Sequence, residues 1–216
     1  SALAKGAKRL KGPFEAALDL LAYVQIILYR KGHDALDLVT EAQLIRRFQP
    51  PDKEMFPLYA GYYIAELLDL GTEPHDPHPL LFELAIATLD QLRGTSDPRL
   101  VILRFELLLL REIGHLPDFH RCAHCDTEAS QLSSARYWVT QGGLLCGQCG
   151  RPEYAQSAIQ PASVTLLRTL SSENTPDWAA TSPTVPQLRE VRRIVSAAMT
   201  HALEKKPKML AYLKFA

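Results

Sequence analysis

The hydrophobic and polar positions of the chain follow two different periods, one on each side of the pair Pro50 and Pro51. Residues 21–30 (LAYVQIILYR) alternate with a period of two and are rich in β-branched and aromatic side chains, which predicts a strand. Residues 30–35 (RKGHDA) have turn chemistry, and 36–45 (LDLVTEAQLI) predict a return strand. The region before the prolines is therefore predicted to form part of a small antiparallel sheet.

After the prolines the period becomes helical. Residues 55–71 (MFPLYAGYYIAELLDLG) carry an apolar stripe that ends at Gly71. A polar loop, TEPHDPH, then leads into a second amphipathic helix that is predicted to end at Gly94. These two segments predict helices that each bury one face.

A third helix is predicted to begin at Pro98, with Ser96 or Asp97 as its N-cap. Its sequence, PRLVILRFELLLLREIG, is apolar on most sides, so we expect it to lie at the centre of the helical region. Further helical patterns cover residues 162–171 and 184–205. The predicted fold class is therefore α+β.

Length and composition allow a substantial core. The chain has 216 residues, of which 47% are hydrophobic, enough for one large domain or two to three small ones. No apolar run approaches the roughly 18 to 20 residues that span a bilayer, and no leader pattern opens the sequence. We therefore expect a cytoplasmic protein.

A neutral total charge hides a strong segregation of charge. The chain has 24 Lys and Arg against 24 Asp and Glu. Residues 189–216 contain seven cations and two anions, and residues 14–188 contain 13 cations and 22 anions. The first 13 residues contain no anion and four cations: Lys5, Lys8, Arg9 and Lys11. The basic start is either a solvated terminus or part of a surface that holds polyanions. If the fold brings the two basic ends of the chain together, they form such a basic face.

All four cysteines of the chain lie in two CxxC pairs. Cys122 and Cys125 are separated by twenty residues from Cys146 and Cys149. This spacing is typical of a four-cysteine zinc site, in which two turns aim their thiolates at one ion. The alternatives are disulfides, which are rare in the cytoplasm, and a redox CxxC, which needs a βαβ context that the pattern does not show.

The expected zinc is structural, because four thiolates close the coordination shell that a catalytic zinc leaves open. The sequence contains none of the phosphate-binding or hydrolase motifs GxxxxGK[ST], GxGxxG, GxSxG and HExxH. These absences count against an enzyme.

The order of several segments resembles the RecO family of bacterial DNA repair and recombination mediators. The segments are AKGAKRLKG, GYYIAELL (61–68), PLLFELAIATLDQL (79–92), RFELLLLREIG (104–114) and CAHC…GGLLCGQC (122–149). The resemblance implies an OB-fold barrel in residues 1–50, a helical domain in 51–216 and a zinc module inserted at 119–152. The family's first barrel strands normally precede the basic stretch, whereas four residues precede Lys5 here, so the barrel is expected to be incomplete.

The resemblance also implies a non-catalytic function in DNA repair and homologous recombination. This function comprises binding single- and double-stranded DNA, annealing complementary strands and, with RecR, loading RecA onto strands coated by single-stranded-DNA-binding protein. A nucleoid-associated location follows from it. The rival hypotheses are a zinc-stapled scaffold for protein partners, with incidental DNA contact, and a zinc enzyme of unrecognised chemistry.

Two surfaces are predicted on this basis. The first binds phosphates through Lys5, Lys8, Arg9, Lys11, Arg189, Arg192 and Arg193. The second would hold the acidic, apolar-ended tail of single-stranded-DNA-binding protein. Arg104, Leu108 and Arg111 follow one helical stripe and offer it cations and an apolar contact. The alternative is that the two arginines only pair with nearby acids.

Overall fold

The computed structural model describes residues 2–7, 14, 17–30, 32, 35–51, 54–128, 135–150, 158–173 and 175–215. The chain divides into two compact units, Ser1–Asp52 and Lys53–Ala216. Strands make up the regular structure described in the first unit, and the second contains helices and a further sheet. The predicted α+β class is therefore confirmed.

The first unit contains a three-stranded sheet of β1 (Ala2–Leu3), β2 (Ala22–Tyr29) and β3 (Asp37–Arg47), in the order β1-β3-β2. Strand β1 runs parallel to β3, and β2 runs antiparallel to it. The two strands predicted from the alternating pattern are thus confirmed, and part of the turn between them lies outside the described residues. Ile26 and Ile27, on opposite faces of β2, are 43% and 52% exposed, so apolar surface remains on both faces.

The second unit contains five helices among its described residues, and each lies where a helical pattern predicts one. They are α1 (Met55–Gly71), α2 (Pro79–Gln91), α3 (Pro98–Glu112), α4 (Pro161–Ser171) and α5 (Val185–Ala202). Helix α3 packs against the other four, and every residue from Phe105 to Leu110 is buried. The central position predicted for this helix is confirmed. None of the described helices is both long and apolar enough to cross a bilayer.

Side-chain caps fix the start of two of these helices. The Asp97 carboxylate accepts a hydrogen bond from the backbone N–H of Arg99 at 2.9 Å, which confirms the predicted cap of α3. At α5, Thr184 and Gln187 form a reciprocal capping box. These caps satisfy backbone donors that would otherwise lack a partner.

A second sheet lies between α3 and α4 in the sequence. Its strands are β4 (Asp118–Cys122), β5 (Ala135–Trp138), β6 (Gly143–Cys146) and β7 (Ala158–Ile159), in the order β4-β6-β5-β7. Strands β5 and β6 form an antiparallel hairpin through a 3-10 turn at Val139–Gln141. Gly142 closes that turn with φ 62°, a left-handed conformation that favours glycine.

The C-terminal segment folds back onto α1. The Glu66 carboxylate accepts hydrogen bonds from the backbone N–H groups of Lys208 and Met209, at 2.7 and 2.8 Å, where a short 3-10 helix begins. The Phe215 ring then packs edge-on against Phe56 at a centroid distance of 5.7 Å. This segment therefore closes the core of the second unit.

Candidate metal centre and cationic surface

The two CxxC pairs lie side by side because each follows a strand of the second sheet. Cys122 ends β4 and Cys146 ends β6, and these strands are parallel neighbours. Each pair then turns sharply, since the carbonyl of Cys122 accepts from Asp126 N and that of Cys146 accepts from Gly150 N, both at 2.9 Å. The two CxxC turns, or knuckles, are thus brought together by the pairing of β4 with β6, whereas the sequence predicts only the β5–β6 hairpin between them.

The four cysteine sulfurs form one cluster in which every pair lies within 4.8 Å. The Sγ atoms of Cys125 and Cys146 are 3.7 Å apart. Four sulfurs placed tetrahedrally at about 2.3 Å from one ion are about 3.8 Å from each other, so the cluster fits a metal. A disulfide needs a sulfur–sulfur distance of about 2.05 Å, and all four cysteines are free.

Local hydrogen bonds favour the thiolate form of Cys125 and disfavour the thiolate form of Cys149. The hydrogen bond with the Thr127 hydroxyl lowers the pKa of the Cys125 thiol to about 6. Hydrogen bonding with Cys146, followed by burial, raises the pKa of Cys149 to about 12. Since a metal binds the thiolate form, the ion itself must complete the deprotonation of the set.

The cluster is held to the helices through β4. Phe119 is buried, and its carbonyl oxygen accepts a hydrogen bond from Nε of Arg168 on α4 at 2.8 Å. Cys122, Leu145 and Cys146 form a small core of their own, against which Trp138 packs. The only signal that the sequence contains for Arg168 is its position in the last turn of a predicted helix.

The cations predicted to bind DNA have different environments. Lys5 is exposed, while Lys8, Arg9 and Lys11 lie outside the described residues. On α5, Arg189 and Arg193 are exposed. Among the described residues, neither has an acidic group within ion-pair distance.

Arg192 is not available to DNA, which corrects the prediction for this residue. Only 11% of its side chain is exposed, and its guanidinium donates to both carboxylate oxygens of Glu106, at 2.6 and 2.7 Å. Burial alone lowers the pKa of Arg192, but the Glu106 carboxylate reverses the effect and the pKa is raised. The charge of Arg192 therefore compensates a buried acid.

The stripe of Arg104, Leu108 and Arg111 does not form the open slot predicted for an acidic tail. Leu108 is only 7% exposed. The Arg104 guanidinium donates to the carbonyl oxygens of Leu170 and Ser172, at 3.0 and 2.7 Å, and lies over the Trp178 ring.

Arg111 is similarly occupied, because it donates to the carbonyl of Ser171 and pairs with Glu173 at 2.7 Å. Both arginines thus bind the C-terminal end of α4. Their partners are backbone carbonyls of α4 and one acid, Glu173. The alternative prediction, that both arginines pair only with nearby acids, is therefore only partly correct.

Comparison with known proteins identifies relatives over most of the chain. The family described as "Recombination protein O C terminal" matches residues 53–211. The DNA repair protein RecO of Rhodopirellula baltica is 42% identical over 177 residues, which cover 80% of this chain and 64% of that protein. The DNA repair protein RecO of Dehalococcoides mccartyi strain 195 is 27% identical over 211 residues, with 97% and 81% covered.

A third relative, the DNA repair protein RecO of Bacillus subtilis, is 26% identical over 166 residues, which cover 77% of this chain and 63% of that protein. The chain thus spans less than two thirds of the length of two of these three relatives. The family match covers well over half of the chain and includes all four cysteines of the cluster. This chain belongs to the RecO family of recombination proteins.

Proposed function

We propose that this protein acts in DNA repair and homologous recombination by binding DNA through its phosphate backbone. Membership of the RecO family carries the proposal, because relatives of this chain are named DNA repair proteins. The exposed cations Lys5, Arg189 and Arg193 supply the charge that such binding needs. The role is non-catalytic: the protein holds strands and anneals them in the cytoplasm, where the nucleoid lies.

The partners follow from the same proposal. The protein binds single- and double-stranded DNA and, together with RecR, helps RecA to replace single-stranded-DNA-binding protein. The tail of that protein binds outside the stripe of Arg104 and Arg111, because both guanidinium groups are engaged with α4.

The metal of the cluster is Zn2+, one ion per chain, and its role is structural. Four thiolates are the ligand set of closed structural zinc sites, and each CxxC pair here lies in a tight turn. When bound, the ion supplies only cross-linking of the two knuckles. Elemental analysis of the purified protein should find about one zinc per chain.

The first unit is part of an OB-fold barrel. An OB-fold is a five-stranded, partly open Greek-key barrel. The order β1-β3-β2, with one parallel and one antiparallel pair, corresponds to three adjacent strands of such a barrel. The apolar side chains exposed on β2 fit a sheet that curls around a core.

The proposal is tested by measuring DNA affinity against salt concentration. Fluorescence anisotropy with a labelled single strand should give an affinity that falls steeply as salt rises, with a slope of about −0.7 per phosphate contact on a log–log scale. Annealing of complementary strands should also accelerate. Salt-independent binding, or none, would exclude the proposed function and favour a scaffold for protein partners.

A further inference from the structure

A groove lined by both polar and apolar side chains follows α5 and has no role in the function described so far. Two neighbouring hollows, of about 730 and 280 Å³, share the lining residues Val139 and His201. The C-terminal half of α5, with Thr200 and His201, forms one wall. The larger hollow is completed by Val139 and by the C-terminal segment from Glu204 to Ala211, and the smaller one by the turn between β5 and β6. The larger volume lies within the range of about 300–1,000 Å³ that is usual for sites of small ligands.

The cations of α5 lie on the same helical face as the groove. Arg189, Arg193, Ala197 and Thr200 follow each other at intervals of four, four and three residues, which places them in one row. Ala197 and Thr200 line the larger hollow, so Arg189 and Arg193 continue its floor by two turns toward the start of the helix. Lys206 lines the same hollow and is exposed.

The lining of the larger hollow is neutral, because Lys206 balances Glu204, and the positive charge of this face comes from Arg189 and Arg193 beside it. Glu190 follows Arg189 on α5, and its carboxylate accepts a hydrogen bond from Gln160 N at 3.1 Å. The Ser196 hydroxyl on the floor is held by Nε of Arg192 at 2.8 Å, so the buried Glu106–Arg192 pair also fixes the shape of the groove. A row of cations that flanks a hollow with hydroxyl and imidazole groups matches a phosphate backbone with a sugar or base beside it.

We propose that this groove, between α5, the turn at Val139–Gly142 and the C-terminal segment that follows α5, binds a nucleotide segment of single-stranded nucleic acid. Arg189 and Arg193 contact consecutive phosphates, one nucleoside enters the hollow at Thr200 and His201, and Lys206 contacts the phosphate beyond it. The inference rests on the proposed function and adds a second contact site, in the unit that also holds the metal cluster.

The geometry favours a single strand over a duplex. A hollow of this size takes an unstacked nucleoside, and a duplex would have to flip a base out of its stack to fill it. Imidazole rings are among the side chains on which unstacked bases stack. An acidic peptide is the competing ligand, but Glu204 inside the hollow would repel its carboxylates there, where a neutral base experiences no such repulsion.

Two variants distinguish the contribution of the cations from that of the open volume of the hollow. Ala197→Trp fills the hollow without changing a charge, and the double variant Arg193→Ala/Lys206→Ala removes two cations and leaves the hollow open. Lys214→Ala, which removes an exposed cation outside the groove, is the matched control. Each is titrated with a 15-nucleotide oligothymidylate, with a duplex of the same length and with an oligoglutamate peptide, over a series of salt concentrations.

Filling the hollow should weaken oligothymidylate binding at least threefold with the salt slope unchanged, and duplex binding should stay within twofold of wild type. Removing the two cations should flatten the single-strand slope by about 0.7 for each phosphate that is no longer neutralised. An oligonucleotide carrying 5-iododeoxyuridine should crosslink to the peptide that contains residues 196–206 in wild type and not in Ala197→Trp. Thermal unfolding of each variant establishes that it is folded.

Three results would overturn the inference. If wild type binds DNA but both variants match Lys214→Ala, the groove is not a nucleic-acid site, although the proposed function stands. If wild type binds neither DNA form, the proposed function fails as well. If Ala197→Trp abolishes binding of oligoglutamate and leaves oligothymidylate binding intact, the groove is a site for an acidic peptide.

Discussion

Glu106 carries a carboxylate with no exposed surface, and two side chains replace the water that it has lost. The Tyr63 hydroxyl donates to one carboxylate oxygen, and Arg192 donates to both. Burial, and then the negative charge of Glu106, raise the pKa of Tyr63 well above its ordinary value, so the phenol stays protonated and remains a donor. The Phe215 ring covers the guanidinium of Arg192 at 4.9 Å.

Removing Arg192 should therefore damage the fold rather than DNA binding alone. In Arg192→Ala the Glu106 charge is left buried without its ion-pair partner, which typically costs about 3–5 kcal/mol in the free energy of unfolding. Urea denaturation followed by circular dichroism measures this loss. The control Arg193→Ala removes an exposed charge one residue away and should stay within about 0.5 kcal/mol of wild type. Equal stability of both variants would show that Arg192 does not compensate Glu106.

The sequence contains a signal that Arg192 is buried, although the count of charges along the chain does not use it. Leu188, Arg192, Val195 and Met199 fall on one stripe of α5, and the three apolar members are buried. An arginine on an apolar stripe indicates either a boundary position or a buried partner, and the partner, Glu106, lies on another helix. Charge counting along the chain cannot distinguish these cases from an exposed cation.

Asp97 gives a second prediction at this scale. Replacing it with Ala removes the cap of α3, which typically costs about 0.5–2 kcal/mol, whereas Asp97→Asn keeps a capping oxygen and should cost less. Burial raises the pKa of Asp97, but the hydrogen bonds from Arg99 outweigh it and the pKa is lowered. The capping contribution is thus complete above the ordinary carboxyl pKa of about 3.9 and is lost as pH falls through the lower folded value.

Denaturation curves of wild type and Asp97→Asn at pH 7 and pH 3 would check the sign. The difference in stability between them should shrink at the lower pH, since the charged form of Asp97 is then partly lost. A difference that grows on acidification would contradict the assignment.

Among the helices, α4 is notable because its C-terminal carbonyls are satisfied by side chains from another helix. Arg104 and Arg111 project from α3 to the carbonyls of residues 170–172, which the ladder of α4 itself leaves without donors. Cations at this end also oppose the partial negative charge of the helix C-terminus. Burial, and then the like charge of Arg111, lower the pKa of Arg104, yet its donors remain directed at α4.

Truncating Arg104 should loosen the end of α4. In Arg104→Ala two carbonyl oxygens lose their donor, at a cost of about 1–3 kcal/mol for buried acceptors and less where water enters. Hydrogen exchange should show faster exchange for residues 168–172, with α1 and α2 unchanged. Arg104→Lys should recover part of the loss, because an ammonium reaches one carbonyl at a time. Uniform acceleration across all five described helices would instead indicate global destabilisation.

At the scale of the whole molecule, the sequence predicts local order well and long-range partners poorly. The helix positions, the cap at Asp97 and the convergence of four cysteines are each signalled by short sequence patterns, and these predictions are confirmed in the structure. The partners of Arg104 and Arg192 lie 66–68 and 86 residues away, and the groove along α5 is completed by Val139 of the second sheet and by the C-terminal segment. Such features arise from packing, on which periodicity gives no information.

The last prediction concerns what the metal holds together. Cys122, Leu145 and Cys146 form a core separate from that of the helices, so removing the metal should unfold the sheet of β4–β7 and leave α3 protected. Structural zinc contributes about 10–16 kcal/mol in small peptides that have no other core; the dependence here should be weaker, because α3 keeps its own buried contacts.

Cys146→Ser should lose the metal and lower the thermal unfolding midpoint, and hydrogen exchange should locate the loss in strands β4, β5 and β6. The control His124→Ala changes an exposed residue inside the first knuckle that does not belong to the sulfur cluster, and it should retain one metal per chain by elemental analysis. Because Lys5 lies in the other compact unit, DNA binding of Cys146→Ser should decrease only as far as the Ala197→Trp variant does, through the turn at Val139–Gly142. Complete loss of DNA binding, with the helices still protected from exchange, would show that the metal-bound sheet carries the main DNA contact.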